Sequence, residues 1–174
     1  MATAIQTISK PIKARALDTS SSSQPVSSNL ITENNDFSAD EAWTKGTGWT
    51  IGSGVASCDG SQSATSWLQQ SETGLADPEN KEFRITYTVT AYTAGNIKAQ
   101  VGGYGPSTTA VTATGTYIET VGPTNSSSED KIYFRASSDF VGSIHNVIVE
   151  EMKTVPNNNH GQIYSGRALE FDGV

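Results

Sequence analysis

Aromatic side chains near predicted turns are the residues of this sequence best suited to contact a ligand. Trp43 stands among charged and polar residues, Trp67 lies in a short predicted strand, and Tyr92 and Tyr104 border glycine-containing turns. An aromatic ring can stack on the apolar face of a sugar, and exposed rings are also common where proteins contact one another. These four residues are therefore candidate glycan or protein contacts. The alternative for each tryptophan is a place in the core, which we expect for Trp49.

The carboxylates and histidines do not form a catalytic pattern. Glu150 and Glu151 are neighbours in a predicted strand and so face opposite ways, and Glu129-Asp130 lies in a polar turn. A glycosidase needs two carboxyl groups about 5–10 Å apart across a cleft, and no spacing in the sequence predicts such a pair. His145 lies in a predicted strand and is interpreted as structural, and no nucleophile-elbow motif is present. We predict no enzyme and no catalytic residues.

Composition excludes several classes of site and partner. The single cysteine, Cys58, excludes an internal disulfide, and no cysteine–histidine cluster has zinc-ligand spacing, so we expect no metal and no cofactor. The formal net charge is −7 and the pI is about 4.7, which argues against a nucleic-acid partner. No apolar run reaches the length of a membrane span, and the first residues lack the apolar core of a signal peptide. We expect neither membrane insertion nor general secretion.

Short strands separated by turns are predicted through the middle of the chain. Charged residues make up only 17%, so much of the polarity comes from Ser, Thr, Gly and Asn, which suits strands and turns. The clearest strand alternates between an apolar face (Phe83, Ile85, Tyr87, Val89) and a polar face (Arg84, Thr86, Thr88, Thr90). The predicted strands are 48–51, 54–58, 66–69, 82–92, 97–101, 108–112, 116–121, 131–136 and 143–151. Their spacing predicts an all-β fold, an antiparallel β-sandwich or barrel.

The chain divides into four parts. Residues 1–29 form an extended N-terminal arm, 30–152 the β-domain, 153–162 a linker with Pro156 and an Asn run, and 163–174 the start of a second β-domain. The arm is interpreted either as a disordered tail or as a segment that becomes ordered on a partner. In the second interpretation, three apolar and three cationic side chains contact the partner: Ile5, Ile8, Ile12, Lys10, Lys13 and Arg15.

Two regions resemble known families. The segments of the β-domain that carry the resemblance are Asn29-Leu-Ile-Thr-Glu-Asn-Asn-Asp-Phe37, Trp43, Gly48-Trp-Thr-Ile-Gly52, Val55, Phe83-Arg-Ile-Thr-Tyr-Thr-Val89, Gly102-Gly103, Gly115-Thr-Tyr-Ile-Glu119 and Ser138-Asp-Phe-Val-Gly-Ser-Ile-His-Asn-Val-Ile-Val149. They resemble jelly rolls of the galactose-binding, carbohydrate-binding-module type, which recur in bacteriophage tail fibres and other virion structural proteins. The family's last strand usually reads Ile-Asp-Asn-Val, whereas this chain has Ile144-His-Asn-Val147, so no calcium site is carried over. Ser165-Gly-Arg-Ala-Leu-Glu-Phe-Asp-Gly-Val174 resembles the opening strand of a laminin-G or concanavalin-A-like lectin domain.

The resemblance implies a phage virion structural protein on the particle exterior. The preferred form is a tail fibre or appendage, whose arm and jelly roll attach it to other virion proteins and carry a distal domain for a host surface glycan. Such proteins form symmetric oligomers, here with a trimer preferred. A capsid decoration or head-fibre protein is one alternative. The other is a carbohydrate-binding module of a modular glycan-active protein.

Overall fold

The computed structural model describes residues 21–75, 78–103, 106–123 and 129–156. These ranges contain ten β-strands and one 3-10 turn, Thr73–Leu75. The strands are β1 (Ser21–Pro25), β2 (Thr44–Lys45), β3 (Trp49–Gly52), β4 (Val55–Asp59), β5 (Ser66–Ser71), β6 (Glu82–Ala94), β7 (Ile97–Val101), β8 (Gly115–Val121), β9 (Lys131–Ala136) and β10 (Val141–Pro156). No helix in this part of the chain is long and apolar enough to span a bilayer.

Two antiparallel sheets pack face to face, which confirms the predicted all-β sandwich. Sheet A has the strand order β3-β4-β10-β6-β8, with β1 also paired to β10, and sheet B has the order β2-β5-β9-β7. Ser23–Thr154 form one compact unit. The core lies between the sheets because alternate residues of each strand point to the same side of the sheet.

Strand β6 shows how the sequence pattern produces the sandwich. Phe83, Ile85, Tyr87 and Val89 are buried, as the alternation predicts, and the residues between them are partly or fully exposed. β10 pairs along most of this strand and is interrupted by register shifts, one of them between His145 and Ile148. Asn146 in that shift has a φ of 54°. The bulge frees Val147 to donate its N–H to the Asn35 carbonyl, at 2.8 Å, outside the ladder.

Aromatic rings from both sheets meet in the centre of the core. Phe134 of β9 lies 5.1 Å from Tyr87 of β6 and 6.2 Å from Trp43, measured between ring centroids. Trp49 of β3 lies 6.3 Å from Phe140 in the same way. Burial of each such side chain contributes about 1.5–3 kcal/mol, and contacts between tilted rings add to this. Trp49 is therefore a core residue, as expected.

The Tyr87 hydroxyl is buried near the Thr108 side chain but forms no hydrogen bond of normal geometry with a described residue. Burial also raises the pKa of this phenol. We expect Tyr87→Phe to leave stability unchanged or to increase it by about 1 kcal/mol, because it removes an unpaired polar atom from the core. Urea denaturation followed by circular dichroism measures the change. Tyr117→Phe is the matched control: it loses a 2.9 Å bond to the Ala113 carbonyl and should be slightly destabilised. A loss of more than about 1 kcal/mol in Tyr87→Phe would contradict the expectation.

One predicted strand is not formed. Residues 108–112 contain one isolated bridge, Val111 opposite Ile97, and a second bridge just before them joins Ser107 to Gln100. The reason is a side-chain hydrogen bond: the Ala99 N–H donates to the Thr108 hydroxyl at 2.9 Å instead of to a backbone carbonyl. Threonine hydroxyls compete with the ladder in this way, so pairing stops after each bridge.

The compact unit begins before the predicted boundary at residue 30. The segment 26–30 continues along β10, because Val26 and Leu30 donate to the carbonyls of Glu151 and Val149 at 2.9 and 2.7 Å. Ser27 Oγ accepts the Glu151 N–H at 2.8 Å, and Asn29 Oδ1 accepts the Val149 N–H at 2.9 Å. Side-chain oxygens of small polar residues accept some of the hydrogen bonds that backbone carbonyls accept in a regular ladder. A segment of this kind has no alternating apolar residues, so the sequence did not predict it as a strand. β10 likewise extends to Pro156, into the predicted linker. The remaining linker residues and the predicted second domain, 163–174, lie outside the described residues.

Candidate functional site

Trp43 belongs to the core and does not offer its ring at the surface. It is 6% exposed, and its indole N–H donates to the Asn34 carbonyl at 3.0 Å. Its ring packs 5.1 Å from that of Phe37. Ala42 has a left-handed φ of 64°, which reverses the chain just before the tryptophan. The expectation of a surface contact at Trp43 is corrected: its polar sequence neighbours are exposed, but the turn directs the ring inwards.

Tyr92 braces the turn between β6 and β7. It is half-buried, and its hydroxyl donates to the Gly95 carbonyl at 3.1 Å. Tyr104 lies outside the described residues. The six predicted arm contacts also lie outside them: Ile5, Ile8, Lys10, Ile12, Lys13 and Arg15.

Trp67 is the predicted aromatic contact that lies half-buried on the outer face of a sheet. In sheet B, Trp67 of β5 is directly opposite Arg135 of β9, and Arg135 is directly opposite Lys98 of β7. We call these three residues the cationic row. The guanidinium carbon of Arg135 lies 4.5 Å from the centroid of the Trp67 ring, a cation–π contact. Tyr133 packs against Trp67 edge-on, with 5.5 Å between ring centroids.

Three shallow concavities surround the cationic row. One, of about 290 Å³, lies beside Trp67 and Tyr133, and a second, of about 280 Å³, lies between Trp67 and the loop 62–65. A third, of about 160 Å³, is lined by Lys98, Arg135 and the polar residues Thr65, Asn96 and Ser137. The outer face of sheet B therefore combines an aromatic ring, two cations and small polar side chains.

Two cations of the row, Lys98 and Arg135, have no carboxylate partner in the described part of the chain, whereas Lys45, which lines the first concavity, is paired with Asp40. Ion pairs join Lys45 to Asp40, Lys81 and Lys153 to Glu151, and Arg84 to Glu150. The three cations without such a pair are Lys98, Lys131 and Arg135, and all three lie on β7 or β9. Arg135 has one long contact, 3.5 Å, to the Gln100 side chain. On a chain of net charge −7, positive charge is thus left unpaired on one face.

The other candidate chemical groups have structural partners. His145 Nδ1 lies 2.6 Å from the Gly54 carbonyl. Glu150 and Glu151 form separate ion pairs, in keeping with the prediction that they face opposite ways. Cys58 is buried, and burial raises the pKa of its thiol. Within the described residues, no group of three or more His, Cys, Asp or Glu side chains could hold a metal ion.

Sequence reasoning missed Arg135 and Lys98. Each is an ordinary cation in an alternating strand, and nothing in the local pattern distinguishes them from Lys131 or Arg84. They become neighbours of Trp67 through the order β5-β9-β7 and its register. A prediction of that strand order would have found them, because the three residues share one face.

No protein-family model and no curated protein matches this chain. Among solved structures, the enzymatically active domain of bacteriophage CBA120 tailspike protein 4 is similar over 71% of this chain, with 18% identity and a TM-score of 0.49. The matched region spans 21% of that protein's chain. A likeness of this extent carries no argument about function.

Proposed function

We propose that this chain is a structural module of a bacteriophage virion, located in a tail appendage. In this proposal the N-terminal arm attaches the module to other virion proteins, and the segment after β10 leads to a distal domain that binds a host surface glycan. The sequence resemblance of residues 29–149 to phage jelly-roll modules supports the virion assignment. In this proposal three copies form a homotrimer, one of the closed symmetric assemblies that oligomers adopt.

The pairing of the first and last strands supports the attachment geometry in this proposal. β1 pairs with β10, and the hydrogen bonds from Val26 and Leu30 to Glu151 and Val149 run in antiparallel order. Residues 26–30, where the chain enters the sandwich, therefore lie beside residues 149–151, where it leaves. A pulling force applied to the chain before Val26 and after Glu151 would act on this strand pair and not across the whole sandwich. This geometry favours a module displayed beside the axis of an appendage over a spacer in line with it.

Deletion of residues 2–20 tests attachment. We expect the shortened chain to be lost from purified phage particles, with at least about a tenfold drop in copies per particle, because the arm supplies the docking contacts. The deletion stops before β1, since removing residues up to 28 would also remove the strand and the Ser27 hydroxyl that bond to β10. Quantitative immunoblotting of purified particles gives the measurement.

Two substituted arms separate apolar from electrostatic docking. One carries Ile5→Ser, Ile8→Ser and Ile12→Ser, and the other carries Lys10→Gln, Lys13→Gln and Arg15→Gln. An unchanged thermal melt of the deleted chain shows that the sandwich is intact. Normal incorporation of the deletion variant would refute the arm's role, and labelling on the capsid by immuno-electron microscopy would replace the tail assignment with a head decoration.

A further inference from the structure

The cationic row forms the centre of a candidate binding site on the outer face of sheet B. We infer that Trp67, Arg135 and Lys98 bind a carboxylate-bearing polysaccharide. This site lies in the sandwich itself, so the inference goes beyond the proposed function and stands without it.

The row contains an unfavourable like-charge pair. Residues directly opposite in antiparallel strands have Cβ atoms about 4.5–5.5 Å apart, and like charges in that position destabilise the sheet. Arg135 and Lys98 occupy such a position, with no carboxylate paired to either in the described chain. A bound anion between the two side chains would convert the repulsion into two attractions.

The acidic groups of this region lie at its borders and are already engaged. Asp139 accepts a hydrogen bond from the Ser137 hydroxyl at 2.7 Å, at the border next to the third concavity. At another border, the Glu129 carboxylate accepts a hydrogen bond from the Tyr133 hydroxyl. Neither carboxylate is within ion-pair distance of Lys98 or Arg135. The centre of the face therefore keeps its positive charge.

The two cations suit carboxylate ligands in different ways. A guanidinium presents a planar fork of donors that matches a carboxylate, while a lysine ammonium acts as a flexible point charge. The Trp67 ring holds the Arg135 guanidinium by the cation–π contact, so less side-chain freedom is lost on binding. Neighbouring strands are about 4.8 Å apart, so the row extends about 10 Å across three strands. That length suits an acidic polymer better than a single small anion.

Aromatic surface and hydroxyl partners favour a polysaccharide over an acidic protein. Trp67 borders the two larger concavities, where a sugar ring can contact the part of the indole that the Arg135 guanidinium does not cover. Thr65 and the Asn96 side chain line the third concavity and offer polar groups to sugar hydroxyls, beside Ser137, whose hydroxyl already bonds Asp139 and the Asn96 N–H. The concavities are smaller than or close to the lower end of the range for ligand pockets, about 300 Å³, so we expect weak binding that is strengthened by several copies.

Binding of polygalacturonate and of polysialate to the full chain tests the inference. Calorimetry should detect binding of at least one polymer, with a dissociation constant on the order of 1 mM or tighter per site. Carboxyl-reduced polygalacturonate, the matched neutral polymer, should bind much more weakly. Added salt should also weaken binding, because the contact is electrostatic. Failure of both acidic polymers to bind would overturn the inference.

Variants locate the site. We expect Lys98→Gln with Arg135→Gln to weaken binding at least about tenfold, and Trp67→Ala to weaken it comparably. The matched control is Lys81→Gln with Lys153→Gln, which removes the same charge just before β6 and on β10, and it should stay within about twofold of wild type. Arg135→Lys keeps the positive charge and should retain part of the binding. This variant controls for the case in which the double substitution weakens binding by disturbing the fold.

Two further results would overturn the inference. One is an equal loss in the Lys81/Lys153 control, which would show that overall charge and not this face determines binding. The other is tighter binding of poly-L-glutamate than of either polysaccharide, insensitive to Trp67→Ala, which would identify a surface for acidic protein. Incorporation of the Lys98/Arg135 variant into particles should be normal, so failure here is distinguishable from failure of the virion role.

Discussion

Replacing Trp43 with alanine is expected to lower the free energy of unfolding by about 3–5 kcal/mol, the range for truncating a buried aromatic residue. The indole ring fills space between Phe37 and Phe134 in the core. Its removal leaves a cavity and also leaves the Asn34 carbonyl without the indole N–H donor. The midpoint of urea unfolding, followed by far-ultraviolet circular dichroism, should fall by roughly 2 M.

Trp67→Ala is the matched comparison for Trp43→Ala. Trp67 is half-exposed on the outer face of sheet B, so its truncation should cost roughly 1 kcal/mol and leave the fold intact. The two variants thus separate a tryptophan that stabilises the fold from one available to a ligand. Equal stability of Trp43→Ala and wild type would show that the core does not depend on this ring.

The second large effect is expected from Glu72→Ala, which should destabilise the sandwich by about 2–4 kcal/mol. The Glu72 side chain is a buried acceptor, with the residue 6% exposed. Its carboxylate accepts the Thr32 N–H and hydroxyl at 3.0 and 2.9 Å and the Gln70 side-chain amide at 2.9 Å. Loss of the carboxylate leaves the buried Gln70 amide with only the Glu33 carbonyl, at 2.9 Å, as acceptor, and it leaves the donors of the exposed Thr32 to water. Chemical denaturation measures the change.

Three further variants define the source of this effect. Glu72→Gln keeps the shape and one acceptor oxygen, so it should cost about half as much as alanine. Thr32→Val removes one donor and should cost about 1 kcal/mol. Glu41→Ala, a substitution of an exposed glutamate, should change stability by no more than about 0.5 kcal/mol. If Glu72→Ala behaves like Glu41→Ala, the carboxylate does not hold residues 32–33 to the end of β5.

Local patterns predicted the strands that have their own apolar alternation. Phe83 to Val89 is the clearest case, because every second residue is apolar and the structure buries each of these side chains. Strand β1 and its continuation to Leu30 had no such signal, since their bonds to β10 use backbone groups and the side chains of Ser27 and Asn29. Residues 108–112 were predicted as a strand but do not form one, because the Thr108 hydroxyl and not a backbone carbonyl accepts the Ala99 N–H.

The sequence by itself determined the all-β class, the alternating core faces and the scarcity of large aromatic residues. Tertiary structure alone decided which aromatic residue is accessible and what surrounds it. Trp43 and Trp67 both have polar neighbours along the chain, yet one packs against Phe134 and the other lies beside Arg135 on an outer face. The physical reason is that exposure depends on strand order and register, which join residues about 30 to 70 positions apart in the cationic row. Trp67, Lys98 and Arg135 become one charged surface only when β5, β9 and β7 lie side by side.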